Sequence, residues 1–186
     1  MPIPINPKAV RYKIAQLFLR MLYGRKWHYI SPWHHASVAA TVVLTKNGKV
    51  LMGKRRGNIE FIGLRDHPGG HVDLEVKEGL IQACVRETYE EMRIKIDPLK
   101  ITEDKLIDVC LNNDSEYIEH LDARNICLTY IYEVNDKELE DLQDTEESFD
   151  FKWFDKNEVE KELRKDIHII EQRHYERALK ALNLKI

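Results

Sequence analysis

The sequence predicts an α/β fold, a mixed β-sheet covered by helices. Three observations carry this. A β-branched run at residues 36–44 is followed by Asn47-Gly48 and a second apolar run, the signature of a β-hairpin. Residues 78–92 then show helical period. Further strand-like runs give way to two helical segments that close the chain.

Taken in order, residues 1–6 (MPIPIN) are punctuated by proline and read as an extended arm. Over residues 8–23, Val10, Ile14, Leu17, Phe18, Met21 and Leu22 recur at spacings of three and four, which predicts an amphipathic helix stopped by Gly24. Such a helix packs on the core, pairs with a second copy in a homodimer, or lies on a membrane surface. The domain division expected is an arm and helix over residues 1–35 and an α/β domain over 36–186. In that domain KVLMGKRR is the return strand of the hairpin, and a stretch with Gly57, Gly63, Gly69 and Gly70 follows. Residues 106–111 and 126–134 read as strands flanking a polar segment, 112–125. After an acidic stretch at 135–147, FDFKWF at 149–154 is a short strand, and helices are expected near 157–165 and 166–182.

Composition limits the function classes. With 43% hydrophobic and 33% charged residues the 186-residue chain can bury a core, which excludes a disordered tail, a collagen-like fibre and a disulfide miniprotein. The net charge of −3 gives no global push toward membrane or nucleic acid, so nucleic acid is not an expected partner. Cys84, Cys110 and Cys127 form no CxxC motif, and a reduced, cytoplasmic setting is the simpler expectation. No apolar run reaches the ~18 residues that a membrane span needs. Charge is nevertheless uneven: residues 1–60 carry a net +10 and the remainder −13. Such a chain can set cations opposite a carboxylate cluster, as a site for a metal and an anionic substrate requires.

The chemistry concentrates in Gly69-Gly70-His71 and the helix after it. At ~100° per residue, Ile81, Cys84, Val85, Thr88 and Met92 share one stripe, while Glu87, Glu90 and Glu91 share another. Three carboxylates at i, i+3 and i+4 repel one another and sit at the helix end that disfavours anions. A bound divalent cation would reverse every one of these terms, and hard oxygen ligands suit Mg²⁺ or Mn²⁺. Periodicity alone is also satisfied by a solvated acidic face. Gly69-Gly70 adds a turn that lets backbone approach a ligand closely. Arg86 needs an acidic partner if buried, and Glu78 two turns back can supply one.

These residues resemble the Nudix box, G-x5-E-x7-R-E-U-x-E-E-x-G-U, where U is bulky and apolar. Glu78-x7-Arg86-Glu87-Thr88-Tyr89-Glu90-Glu91 fits from the first Glu onward, and Pro68-Gly69-Gly70-His71-Val72 fits the approach. Trp153-Phe154-Asp155-x3-Val159 resembles the run into a late helix, and the likeness covers about residues 36–165. It departs in three places. Seven residues, not five, separate Gly70 from Glu78, and the extra two are expected to bulge within residues 73–77. Arg93 stands where the box has Gly, and Thr88 where it has a bulky apolar residue.

The resemblance implies a Nudix-like α/β/α sandwich with a mixed β-sheet and an extra N-terminal helix. It implies a divalent-metal-dependent pyrophosphohydrolase, a hydrolase acting on phosphoric anhydrides. Carried over by position, Glu87, Glu90 and Glu91 with the Gly70 carbonyl look like ligands of Mg²⁺ or Mn²⁺. Glu78 and Arg86 look like the ion pair that orients the helix. The general base is a box glutamate such as Glu90 or a carboxylate on a later loop, where Glu146 and Glu147 are candidates; both also fit ordinary solvated acids. Arg55 and Arg56 at the hairpin end could hold substrate phosphates, and His71 lies inside the box loop. The expected substrate is a nucleoside diphosphate derivative: an NDP-sugar, ADP-ribose or a dinucleotide. A (d)NTP or RNA-cap pyrophosphohydrolase and a non-catalytic nucleotide sensor are the alternatives. A homodimer could share the pocket through the N-terminal segment.

Overall fold

The computed structural model describes residues 37–56, 61–73, 77–113, 124–163 and 167–184. The chain divides into two units, one of Met1–Ser37 with Asn113–Arg124 and one of Val38–Asn112 with Asn125–Ile186. Nearly all of the first unit, including the expected arm and the 8–23 helix, lies outside the described residues. The second contains the sheet, its covering helices and every site residue considered below.

The hairpin forms as the turn residues require. Strands β1 (Ser37–Lys46) and β2 (Lys49–Arg55) pair antiparallel with Lys46 opposite Lys49. Asn47 and Gly48 both take positive φ, 49° and 70°, the geometry of a two-residue primed turn. β3 (Arg65–Asp66) and β4 (Gly69–His71) follow, then α1 (Leu80–Met92), β5 (Leu106–Asn113) and β6 (Arg124–Glu133). β7 (Ser148–Phe154), α2 (Lys156–Leu163) and α3 (Ile169–Asn183) complete the described strands and α-helices, and two 3-10 turns, Pro98–Lys100 and Glu103–Lys105, lead into β5. The strand path is β3-β2-β1-β6-β5, with β4 added to β1 and β7 to β2. β1 meets β6 at their shared C-terminal ends, where Val134 N–H donates to the Thr45 carbonyl at 2.9 Å. The sheet is therefore mixed, and the fold is α/β.

Strand alternation builds two cores. Ala40, Val42, Leu44, Leu51, Tyr130, Tyr132 and Val134 face α1, packing with Ala83, Cys84 and Met92. Val43, Val50, Met52 and Ile131 point the other way, onto Val159 of α2 and Tyr175, Ala178 and Ala181 of α3. Each fully buried aliphatic side chain in these layers contributes about 1.5–3 kcal/mol.

Among the described residues, the expected elements appear with shifted ends: α1 begins at Leu80 behind an extended Gly79, and β5 and β6 each run further into the polar segment. The two short strands β3 and β4 were not expected, because two or three residues carry no periodicity.

Candidate active site

Beside β1, β4 puts glycine where α1 must come close. Ala40 pairs with Gly70 and Thr41 with Gly69. A Cβ on Gly70 would collide with the Glu87 carboxylate, and one on Gly69 would lie 2.7 Å from the Ala40 carbonyl. Without side chains there, α1 can turn Glu87 and Glu91, one helical turn apart, inward; each is only 8% exposed. The helix therefore buries two of the carboxylates that its period assigns to a separate acidic stripe. Glu91 Oε1 accepts from the Gly69 N–H at 3.1 Å and Oε2 from the Ser148 hydroxyl at 3.1 Å. Burial, with the Asp66 charge next in weight, pushes the Glu91 carboxyl up to about 8. Glu87 is also raised by burial, against the pull of Arg86.

Arg86 ties the box together. Its Nε and one terminal nitrogen donate to the two Glu78 oxygens at 2.8 and 3.0 Å. The other terminal nitrogen reaches Glu87 at 2.6 Å and Glu90 at 2.9 Å. A further bond runs to the His71 carbonyl at 3.0 Å. The hydrogen bond from Arg86 is the main reason Glu78 is held below the usual carboxylate range. Glu78 also closes the longer loop: Asp73 N–H donates to its carboxylate at 2.8 Å, and Glu78 N–H donates to the Asp73 carbonyl at 3.0 Å. Between these anchors Lys77 takes φ 58°, and residues 74–76 lie outside the described residues. At the other helix end Arg93 takes the left-handed conformation, φ 62°, its N–H bonded to the Tyr89 carbonyl. The position that the box gives to glycine does have a glycine-favouring backbone.

The opposite wall comes from β2 and from the turn before β7. Arg55, Arg56 and Glu147 line one cavity of about 310 Å³ together with Gly69, Gly70, His71, Glu87 and Glu91. Arg55 is held from behind by Asp66, whose other oxygen meets His174 Nδ1 at 2.8 Å. Burial opposes ionisation of Asp66, yet His174 and Arg55 keep its carboxyl well below the usual range. Arg56 stacks on the Phe149 ring at 4.7 Å, pairs with Asp144 at 3.1 Å and donates to the Thr145 carbonyl. The Thr145 hydroxyl accepts from the Glu147 and Ser148 amides at 3.2 and 3.0 Å and donates to the Glu91 carbonyl at 3.0 Å.

Of the residues singled out from sequence, this brings together Arg55, Arg56, Gly70, His71, Glu87, Glu91 and Glu147. Glu90 does not line the cavity and reaches it only through Arg86. Glu146 faces a neighbouring hollow with Arg56, Arg93 and Asp144. Sequence reasoning missed Asp66, Thr145, Ser148 and His174. Thr145-x2-Ser148 is a hydroxyl-turn pattern that could have been noticed, whereas nothing in the sequence links Asp66 to His174.

The arrangement sets two guanidinium groups across from three carboxylates, as binding a phosphate anhydride beside a cation requires. The donors, all oxygen and partly buried, suit a hard divalent ion. Among the described residues, however, no three carboxylate, imidazole or thiol groups converge closely enough to hold an ion as they stand. Arg86 engages Glu87 through Oε1 and Glu90 through Oε2, so it competes with a cation for those two oxygens.

The NUDIX domain family model matches residues 33–177. No curated protein matches the chain. Among solved structures, the MutT NUDIX hydrolase from Burkholderia pseudomallei is 19% identical with TM-score 0.57, over 76% of this chain and 97% of that one. The MutT protein from Methanosarcina mazei Go1 is 18% identical with TM-score 0.57, over 79% and 95%. A bifunctional NMN adenylyltransferase/ADP ribose pyrophosphatase from Francisella tularensis, complexed with AMP and a Mn ion, is 17% identical with TM-score 0.54. That match covers 89% of this chain but 44% of the bifunctional protein.

Proposed function

The chain belongs to the NUDIX family of hydrolases acting on pyrophosphate bonds, and from that premise we propose that it cleaves the diphosphate linkage of a nucleoside diphosphate derivative. NDP-sugars, ADP-ribose and dinucleotides are the candidate substrates. The family generally uses divalent metals, and Mg²⁺ or Mn²⁺ is the expected cofactor here. One observation carries the reading: a single cavity sets Glu87, Glu91 and Glu147 against Arg55 and Arg56.

Glu87, Glu91 and the Gly70 carbonyl would hold the metal, with Glu90 joining if Arg86 releases it. Such an ion neutralises phosphate oxygens and lowers the pKa of a bound water. The protein's own groups do the rest. Arg55, braced by Asp66, and Arg56, braced by Phe149, present N–H donors to the diphosphate. Glu147 lies in the cavity and makes no ion pair among the described residues, so it is assigned the general base. Arg86 with Glu78 positions the carboxylate helix.

A panel of ADP-ribose, UDP- and GDP-sugars, dinucleotides, dNTPs and capped RNA tests this, each assayed for product with Mg²⁺ or Mn²⁺. Hydrolysis of one diphosphate class, reduced at least a hundredfold by Glu147→Gln, is the expected result. Turnover of dNTPs or capped RNA alone would move the assignment to those substrates. Glu87 and Glu90 turned onto Arg86 favour a second reading, a nucleotide sensor. Nucleotide binding with no product in any arm would establish it.

A further inference from the structure

On the other side of the sheet, α3, β5 and β6 bring a second reactive cluster together, away from the carboxylates of α1. Arg177 of α3 is 5% exposed. Its terminal nitrogen donates to Cys110 Sγ of β5 at 3.1 Å. Its carboxylate partner among the described residues, Asp108, stands 3.9 Å from Nε and is shared with Lys180. A buried guanidinium needs an anion close by. A neutral thiol is a weak acceptor, whereas a thiolate answers the charge directly.

Cys110 has a second thiol beside it. Cys127, on the neighbouring strand β6, is 3% exposed, and its S–H bonds to the Cys110 sulfur. The Thr41 hydroxyl lies 3.4 Å from Cys127 Sγ. The bond from Cys127 and the guanidinium bring Cys110 to about 5, against desolvation and the Asp108 charge. The same thiol–thiol bond, followed by burial, pushes Cys127 up. Among the described residues, the charged and titratable groups that act on Cys110 include Cys127 of β6, Arg177 of α3 and Asp108 of its own strand. Cys110 is partly exposed, so a small reagent can reach it. Cys84 offers the contrast: it is buried on the core face of α1, and burial pushes it up to about 12.

We propose that Cys110 and Cys127 form a peroxide-reactive dithiol site, with Cys110 the attacking thiolate, stabilised by Arg177, and Cys127 the resolving thiol. The Cys110 thiolate attacks the terminal oxygen of a hydroperoxide. An S–O bond forms, the O–O bond breaks, and the peroxide leaves as alkoxide or hydroxide. Sulfur is oxidised to a sulfenic acid while the peroxide is reduced. The Cys127 sulfur then attacks the Cys110 sulfur and its proton leaves with the hydroxyl as water. The product is a Cys110–Cys127 disulfide between adjacent strands. This site is independent of the hydrolytic reading, since none of its groups lines the carboxylate cavity.

The test has two arms on separate samples of the reduced full chain, iodoacetamide alkylation and hydrogen peroxide treatment, each read by peptide mass. An ordinary thiol speeds up about fiftyfold between pH 6.5 and pH 8.5 as its thiolate fraction rises. Cys110 is expected to change less than about twofold. One equivalent of peroxide should link Cys110 to Cys127. In Cys127→Ser, peroxide should instead leave a sulfenic acid on Cys110 that a cyclic 1,3-dione traps. A fiftyfold rise in Cys110 alkylation would overturn the proposal. So would peroxide that leaves both thiols reduced or links Cys84 instead.

Discussion

Glu91 is a buried carboxylate whose oxygens accept from neutral donors, the Gly69 amide and the Ser148 hydroxyl. Among the described residues no cation pairs with it. Such a group costs stability until a cation arrives. Glu91→Gln keeps an acceptor for Gly69 and removes the charge. With a chelator present it is expected to stabilise the protein by roughly 1–3 kcal/mol, read from urea midpoints. An unchanged or lowered midpoint would show that the charge is already compensated. His67 gives a pH signature of its own. Burial, then the charge of His174, lowers its pKa from 6.5 to about 3. Between those values the unfolded chain binds a proton that the folded chain refuses, so His67 makes stability fall as pH falls through the window. Glu91, raised from 4.5 to about 8, acts with the opposite sign. The two separate by comparing wild type with His67→Gln. From pH 6.5 to pH 5 the wild type should lose about 1–2 kcal/mol more than the variant. Parallel pH profiles would refute the assignment.

At the scale of elements, the site depends on how closely β4 lies against β1. Gly69→Ala would press a methyl against the Ala40 carbonyl and the Thr41 Cα, which are backbone and cannot swing away. It is expected to cost about 1–3 kcal/mol, measured by thermal unfolding. For Gly70→Ala the nearest atoms all belong to the flexible Glu87 carboxylate. Activity should suffer there more than stability, and equal midpoints for the two variants would contradict this account. Here the limits of sequence legibility become physical. Asn47-Gly48 announces its turn because few residues tolerate positive φ at both positions. The α1 helix is legible through its period. β3 and β4 are not, because pairing with β2 and β1 creates them and no local pattern does. Glu87 and Glu91 are legible as a carboxylate set, but their burial depends on glycine in a different element. The Asp66–His174 contact joins residues 108 positions apart in the chain, and no motif reports it.

Across the whole molecule, one sheet separates two cores, with α1 on one face and α2 and α3 on the other. The end of β2 carries Arg55 and Arg56 to the cavity edge, where the box helix supplies the opposing charge. The acid-poor first third of the sequence therefore does reach the site, through β2. The basic residues before position 37 lie outside the described residues. In the function proposed above, this meeting of cations and carboxylates is a metal-dependent site for pyrophosphate hydrolysis. The most direct test measures turnover of the best panel substrate against Mg²⁺ concentration, for wild type and Glu91→Gln. Turnover that needs the metal and drops at least a hundredfold in the variant, while the variant stays folded, is expected. Equal turnover by both proteins, or wild-type turnover undiminished by a chelator, would contradict it.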